Sequence, residues 1–261
     1  MDPERSRRMQ SPVNEDTSTS LSVRFSLKVP FRNGLNLNSR TMCGRFSFVA
    51  EDAEILERFG IRVRTAIYKA RYNCAPTQNL AVISNETSGE LQFFRWGLIP
   101  SWAKDISIGS KLINARGETI MEKPSFRNAF KNRRCLVPAT SFFEWRRDKL
   151  KIPFNIRLKS REPFCFAGLW DKWVTTDGEM IHSFTIITTI PNALLETIHD
   201  RMPVILHRED EQRWISREAD PSLVDLLKPF PADMMEAYQV SDLVNSPRND
   251  AAEILEPAGL F

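Results

Sequence analysis

The sequence is poor in the features that mark several common protein classes. It has no apolar run of the roughly 18 residues a membrane-crossing helix needs, so no transmembrane helix is expected. Its first residues carry no apolar segment of secretory type, so a signal peptide is not expected. Histidines number three (His182, His199, His207) and cysteines four (Cys43, Cys74, Cys135, Cys165). No two cysteines form a CxxC pair and the histidines lack ligand spacing, so no zinc site and no metal or nucleotide cofactor is expected. Four scattered cysteines also argue against a disulfide framework and for a reducing compartment. Cys135 and Cys165 lie in the apolar runs CLVPA and FCFAGL and read as small core residues. An excess of one charge is missing too: 36 basic residues face 33 acidic ones. That excludes a histone-like, globally basic protein while leaving room for a local basic groove.

What is present is a chain of 261 residues, 42% hydrophobic, long enough for one well-buried domain. Residues 1–41 contain seven basic and four acidic residues, leaving 29 of each from Met42 onward. This segment, rich in Ser, Thr, Asn and Arg, reads as a disordered leader or as the product of a misassigned start with Met42 as the true one. Asp2, Glu4, Glu15 and Asp16 argue against an organelle-targeting peptide. From Met42 to Phe261 neither a repeat nor a linker interrupts the pattern. Helices are predicted at Glu51–Phe59 (Ile55, Leu56 and Phe59 on one face), Asn192–His199, Glu209–Ser216 and near Leu223–Lys228. Leu80–Ser84 and Leu91–Trp96 read as a hairpin. Leu136–Val137, Ser141–Trp145, Phe154–Leu158, Phe164–Leu169 and Phe184–Thr189 read as further strands. The prediction is a single α+β domain with a mainly antiparallel sheet.

Met42-Cys43-Gly44-Arg45 carries unusual chemistry if Met42 is removed. An N-terminal Cys holds an α-amine, with a reference pKa of roughly 7.7–8.0, next to a thiol. The amine can form a Schiff base with an aldehyde and the thiol can then close a thiazolidine ring. An internal Cys can do neither. Nine ordered blocks follow: MCGRF, RYNCAPTQ, RWGLIPSW, INARGET, KPSFRNAF, RRCLVPATSFFEW, FAGLW, FTIITT and IHDRMPVIL. The series resembles the SOS response-associated peptidase (SRAP) family, the abasic-site processing proteins, over everything beyond the leader.

The resemblance implies a barrel-like core with flanking helices, and an enzyme that senses abasic sites in single-stranded DNA; apart from the resemblance, a monomer is expected. Its N-terminal Cys43 would couple to the ring-opened deoxyribose in a stable DNA–protein crosslink, with slow reversal or lyase activity alongside. It further implies Asn114, Glu144 and His199 as catalytic partners. Glu144 would deprotonate the amine and protonate the sugar oxygen, His199 would assist ring opening and Asn114 would orient the amine or a sugar hydroxyl. Arg45, Arg116 and Arg201 would contact phosphates, Pro76 and Trp102 would wedge against flanking bases, and Thr188 would lie against the DNA near the lesion. The place of work would be the cytoplasm and nucleoid, or the nucleus in a eukaryote.

Without that context each residue has a plainer reading: Glu144 on a solvent-facing edge, His199 as a helix cap, Asn114 in a turn. The run Lys131–Arg134 reads equally as a solvated surface, and Trp96, Trp145, Trp170 and Trp173 as core. Two other functions compete: a cysteine-type peptidase that removes its own leader, and a non-catalytic single-stranded-DNA binding module.

Overall fold

The computed structural model describes residues 43–62, 68–148, 150–218 and 220–259; the leader and Met42 lie outside them. In chain order the first strands and helices are β1 (Phe46–Phe48), α1 (Asp52–Phe59), β2 (Arg71–Cys74), β3 (Asn79–Ser84), β4 (Gln92–Trp96) and β5 (Asn114–Arg116). Then come α2 (Arg127–Asn132), β6 (Arg134–Ala139), β7 (Ser141–Trp145), β8 (Pro153–Leu158), β9 (Phe164–Val174) and β10 (Met180–Thr189). The last are β11 (Met202–Pro203), β12 (Ile205–Leu206), α3 (Arg208–Trp214) and β13 (Met235–Gln239).

These form an α+β fold with a barrel core. In the larger sheet β10 pairs with β4, β4 with β3, β3 with β6, β6 with β9, and β9 returns to β10, closing the ring. Closure runs through a parallel pairing of β4 with β10, and β5 also lies parallel to β10, against an otherwise antiparallel pattern. Phe166, Trp96, Phe184 and Phe46 pack the main core. Its tightness shows at Gly168, where a Cβ would sit 2.8 Å from Cys135 Sγ. Cys135 and Cys165 are fully buried, as expected of core residues. The second sheet runs β13-β8-β7-β1-β2. A smaller cluster of Phe143, Val240, Val244 and Ile254 covers its other face.

α1 follows its predicted bounds to within a residue. Asp52 and Glu54 open it, where carboxylates favour the positive helix end, and Gly60 closes it in the left-handed region. Ile55 is its buried residue, whereas Leu56, expected on the same face, is 41% exposed. The hairpin β3–β4 and strand β7 form as predicted.

Several expectations fail or shift. Asn192–His199 is not a helix but a loop holding one short 3-10 turn, Leu195–Thr197. Thr189 pairs with Met202, so residues 190–201 double back on β10, and the Asn192 side chain caps the start of the short turn by accepting Leu195 N–H. The short helix expected near Leu223–Lys228 is present, but as a 3-10 helix set two residues earlier, Pro221–Leu226. Trp96 and Trp170 are core, but Trp145 and Trp173 are half-buried, their indole N–H groups bonded to Asn245 and Ala103.

Arg134 is also no surface residue. It is fully buried, its guanidinium donating to the carbonyls of Phe130, Lys131, Trp214, Ser216 and Glu218.

Candidate active site around Cys43

Cys43 enters β1 at the mouth of the second sheet, buried, with φ +32°, a backbone conformation that non-glycine residues rarely adopt. Its backbone N–H donates to Glu144 Oε1 at 2.7 Å. Glu144 is an inward residue of β7, which lies between β1 and β8 rather than at an edge. Strand alternation puts it on the face of Phe142, while Phe143 packs into the smaller cluster. It is 2% exposed, and burial pushes its pKa up to about 8, against the opposing pull of the Cys43 N–H and Arg147. The Cys43 thiol is pushed well above its ordinary range, first by burial and then by Glu144.

Asn114 opens β5 and is set opposite Ile186 of β10 by the parallel pairing. Its Nδ2 donates to the Cys43 carbonyl at 3.4 Å. His199 lies in the 190–201 loop, almost buried. Its Nδ1 accepts the backbone N–H of Arg201 at 3.2 Å and stands 3.3 Å from Asp200 Oδ1. Burial, then Arg147, hold its pKa below the usual value, with Asp200 opposing. The two contacts make opposite demands on Nδ1: the Arg201 N–H needs its lone pair, which would put the neutral ring's proton on Nε2, and Asp200 favours a proton on Nδ1 itself. The loop is fastened to the end of β7 twice: Arg147 N–H donates to Ile198 O at 3.2 Å, and Arg147 Nη1 meets Asp200 Oδ2 at 2.6 Å.

The other predicted site residues divide into two groups. Arg201 and Thr188 join this cluster: Arg201 Nη2 donates to Thr188 O at 2.8 Å, and Thr188 is fully buried. Arg116 stands opposite Thr188 across the parallel pair, exposed, with no hydrogen-bond partner for its side chain among the described residues. Arg45 is close in sequence but its guanidinium is spent internally, on Asn73 Oδ1 (2.8 Å), Val244 O (2.6 Å) and Asn245 O (3.3 Å). Pro76 and Trp102 sit outside the hydrogen-bonded cluster, on the loops after β2 and β4. Trp102 is 57% exposed and rims a groove of about 490 Å³ with Pro100, Pro124 and Arg127. Three partners in the site were not singled out from sequence: Arg147, Asp200 and Glu118. Each neighbours a motif residue in the chain, and only the fold shows which way it points. Among the described residues no three His, Cys, Asp or Glu side chains gather as metal ligands.

A buried carboxylate titrating near neutrality, set on the nitrogen of a cysteine, can take a proton from that nitrogen or return one. Comparison with known proteins identifies the family. The family described as SOS response associated peptidase (SRAP) matches residues 42–247. The chain is 52% identical over 222 residues to "Abasic site processing protein YoqW" of Bacillus subtilis (strain 168), covering 82% of this chain and 99% of that protein. It is 33% identical over 237 residues to "Abasic site processing protein HMCES" of Rattus norvegicus, covering 74% of this chain and 67% of that one. A crystal structure of a Bacteroides thetaiotaomicron protein, 34% identical, superposes with a TM-score of 0.76 over 83% of this chain and 100% of its own. The chain belongs to the SOS response associated peptidase family of abasic-site processing proteins.

Proposed function

We propose that the protein captures abasic sites in single-stranded DNA through Cys43 as its first residue, residues 1–42 having been removed or never made. The observation that carries this reading is the 2.7 Å contact of Cys43 N with Glu144 Oε1. In the processed chain that nitrogen is the α-amine; its ammonium form draws Glu144 back toward the ionised carboxylate, which is then placed to take the proton. With the thiol held protonated by burial, the amine attacks the aldehyde first. Loss of water gives the Schiff base. The thiol then adds to the imine carbon, its proton passing to the nitrogen, and the thiazolidine closes. Asn114 fixes the Cys43 carbonyl, and in the tautomer with its proton on Nε2 His199 is a donor toward the opening sugar. Arg116 and Arg201 supply positive charge for phosphates, and Pro76 and Trp102 offer apolar surfaces to flanking bases.

The test is incubation of the processed protein with an oligonucleotide bearing one abasic site. A heat-stable crosslink that disappears in Cys43→Ala supports the reading; its absence from processed wild-type protein rejects it. Intact mass of protein from its native host checks the first residue, since active protein retaining residues 1–42 would rule out the amine chemistry.

A second reading, self-removal of the leader, draws on the same geometry. The positive φ at Cys43 strains the chain next to the Met42–Cys43 bond. A largely protonated Glu144 could give its proton to the departing nitrogen and take up the thiol's proton as the sulfur takes the acyl group, which water then releases. Slow appearance of the Cys43 terminus in purified precursor, abolished by Cys43→Ala, would identify it.

A further inference from the structure

Arg201 is already occupied. Both its Nη atoms grip the Glu118 carboxylate, Nη2 meeting Oε2 at 2.8 Å. Nη2 is shared further with Thr188 O at 2.8 Å and Thr188 Oγ1 at 3.3 Å. Nε is buried and has no hydrogen-bond partner among the described residues. Only the second Nη1 hydrogen is left for a ligand. A phosphate that is to be held bidentately by this guanidinium must therefore displace Glu118. The exchange is open to solvent, since the Glu118 side chain is 46% exposed against 12% for Arg201. Glu118 also stays ionised at neutral pH: its hydrogen bond to Arg201 holds its carboxyl below the usual range, with a smaller contribution from Arg116.

We propose that Glu118 is a built-in competitor for DNA phosphate, which occupies Arg201 in the free protein and limits how tightly an intact strand is held. The inference rests on the reading of the protein as a single-strand DNA binder. Intact DNA offers this face only phosphates, and each must be exchanged for a carboxylate already in place. An abasic site adds covalent capture at Cys43, which does not depend on that exchange. Glu118 thus lowers retention on undamaged strands while leaving the lesion-specific step its full advantage.

The experiment is equilibrium binding of an undamaged single-stranded oligonucleotide, by fluorescence anisotropy across a salt series. The proteins are wild type, Glu118→Gln, Glu118→Asp, Arg201→Ala and the double variant Glu118→Gln/Arg201→Ala. Glu118→Gln is expected to bind several-fold tighter, with a log–log salt slope steeper by about 0.7, one extra phosphate contact on a single strand. Glu118→Asp, which keeps the charge, should stay near wild type, and the gain should vanish when Arg201 is Ala. Equal or weaker binding by Glu118→Gln overturns the proposal and makes Glu118 a support for Arg201. An equal gain without Arg201 also overturns it, leaving Glu118 a simple repeller of DNA. If wild type binds no single strand, both this inference and the DNA reading fall; if wild type binds and Glu118→Gln matches it, only this inference does.

Discussion

At Glu144 a single carboxylate carries opposite consequences for activity and stability. As the proton carrier for Cys43 nitrogen, its replacement by Gln should slow crosslinking by about a hundredfold or more, the usual scale for a general acid–base. Retention of undamaged DNA should be unaffected; single-turnover crosslinking beside anisotropy checks this, and unchanged crosslinking would remove Glu144 from the mechanism. Stability should move the other way. The folded carboxyl titrates at about 8, against an ordinary 4.5. Between those values the folded state holds the extra proton, so stability is full below about 4.5 and falls as pH rises toward 8. Glu144→Gln escapes that loss. Its Tm should exceed wild type at pH 8, by the equivalent of a few kcal/mol at most, with the advantage shrinking toward pH 4.5. An ammonium on Cys43 pulls Glu144 back down, so the gain should be smaller in the processed protein than in a chain that keeps its leader. Melting curves of both forms across pH decide the point; an advantage independent of pH would contradict it.

Among the elements, α2 and α3 both end on Arg134. Its donors reach two carbonyls near the end of α2 and three at and beyond the end of α3, all from a fully buried position. A fork of fixed N–H directions suits this and a lysine point charge does not. Arg134→Ala should cost roughly 3–5 kcal/mol in urea unfolding, because buried carbonyls lose their partners, and Arg134→Lys should recover only part. Nothing in the run Lys131–Arg134 distinguishes this residue from its neighbours, because the carbonyls it serves lie up to 84 positions away. The same limit explains which elements were legible. β7 and the β3–β4 hairpin show in sequence because their own short runs of aliphatic and aromatic residues mark them as strands. β5 and β11 do not, since each is a short piece made a strand only by β10 beside it. The apolar spacing at 192–199 suggested a helix; the return from Thr189 to Met202 holds only the short 3-10 turn Leu195–Thr197, with isolated helical bonds beside it. For the site, the motif residues Cys43, Asn114, Glu144 and His199 were legible through family resemblance. The side chains that tune them, Arg147, Asp200 and Glu118, were not, because their effect depends on which way a loop turns.

Across the whole molecule, the segment 244–250 straps the back of the second sheet. Asn73 Nδ2 donates to Val244 O, Ser246 O and Asn249 O, and Asp250 accepts from Tyr72 N, Asn73 N and Arg71. Arg45 is held by the same strap. Asn73→Ala should therefore lower Tm and also release Arg45, exposing the strap to limited proteolysis; a variant that melts lower but is cut no faster would separate the two effects. The parallel seam of β4 and β10 has a different consequence, in time rather than in space. It joins Arg95 to Ser183, and β5 can place Asn114 only once β10 is there to receive it. Contacts so distant in the chain form slowly, after the local hairpins have paid their loop-closure entropy. The cluster of Cys43, Asn114, Glu144 and His199 is drawn from four separate parts of the chain. A nascent or partly refolded molecule can therefore show most of its strands and still lack a working site, and recovery of chemistry should lag recovery of secondary structure.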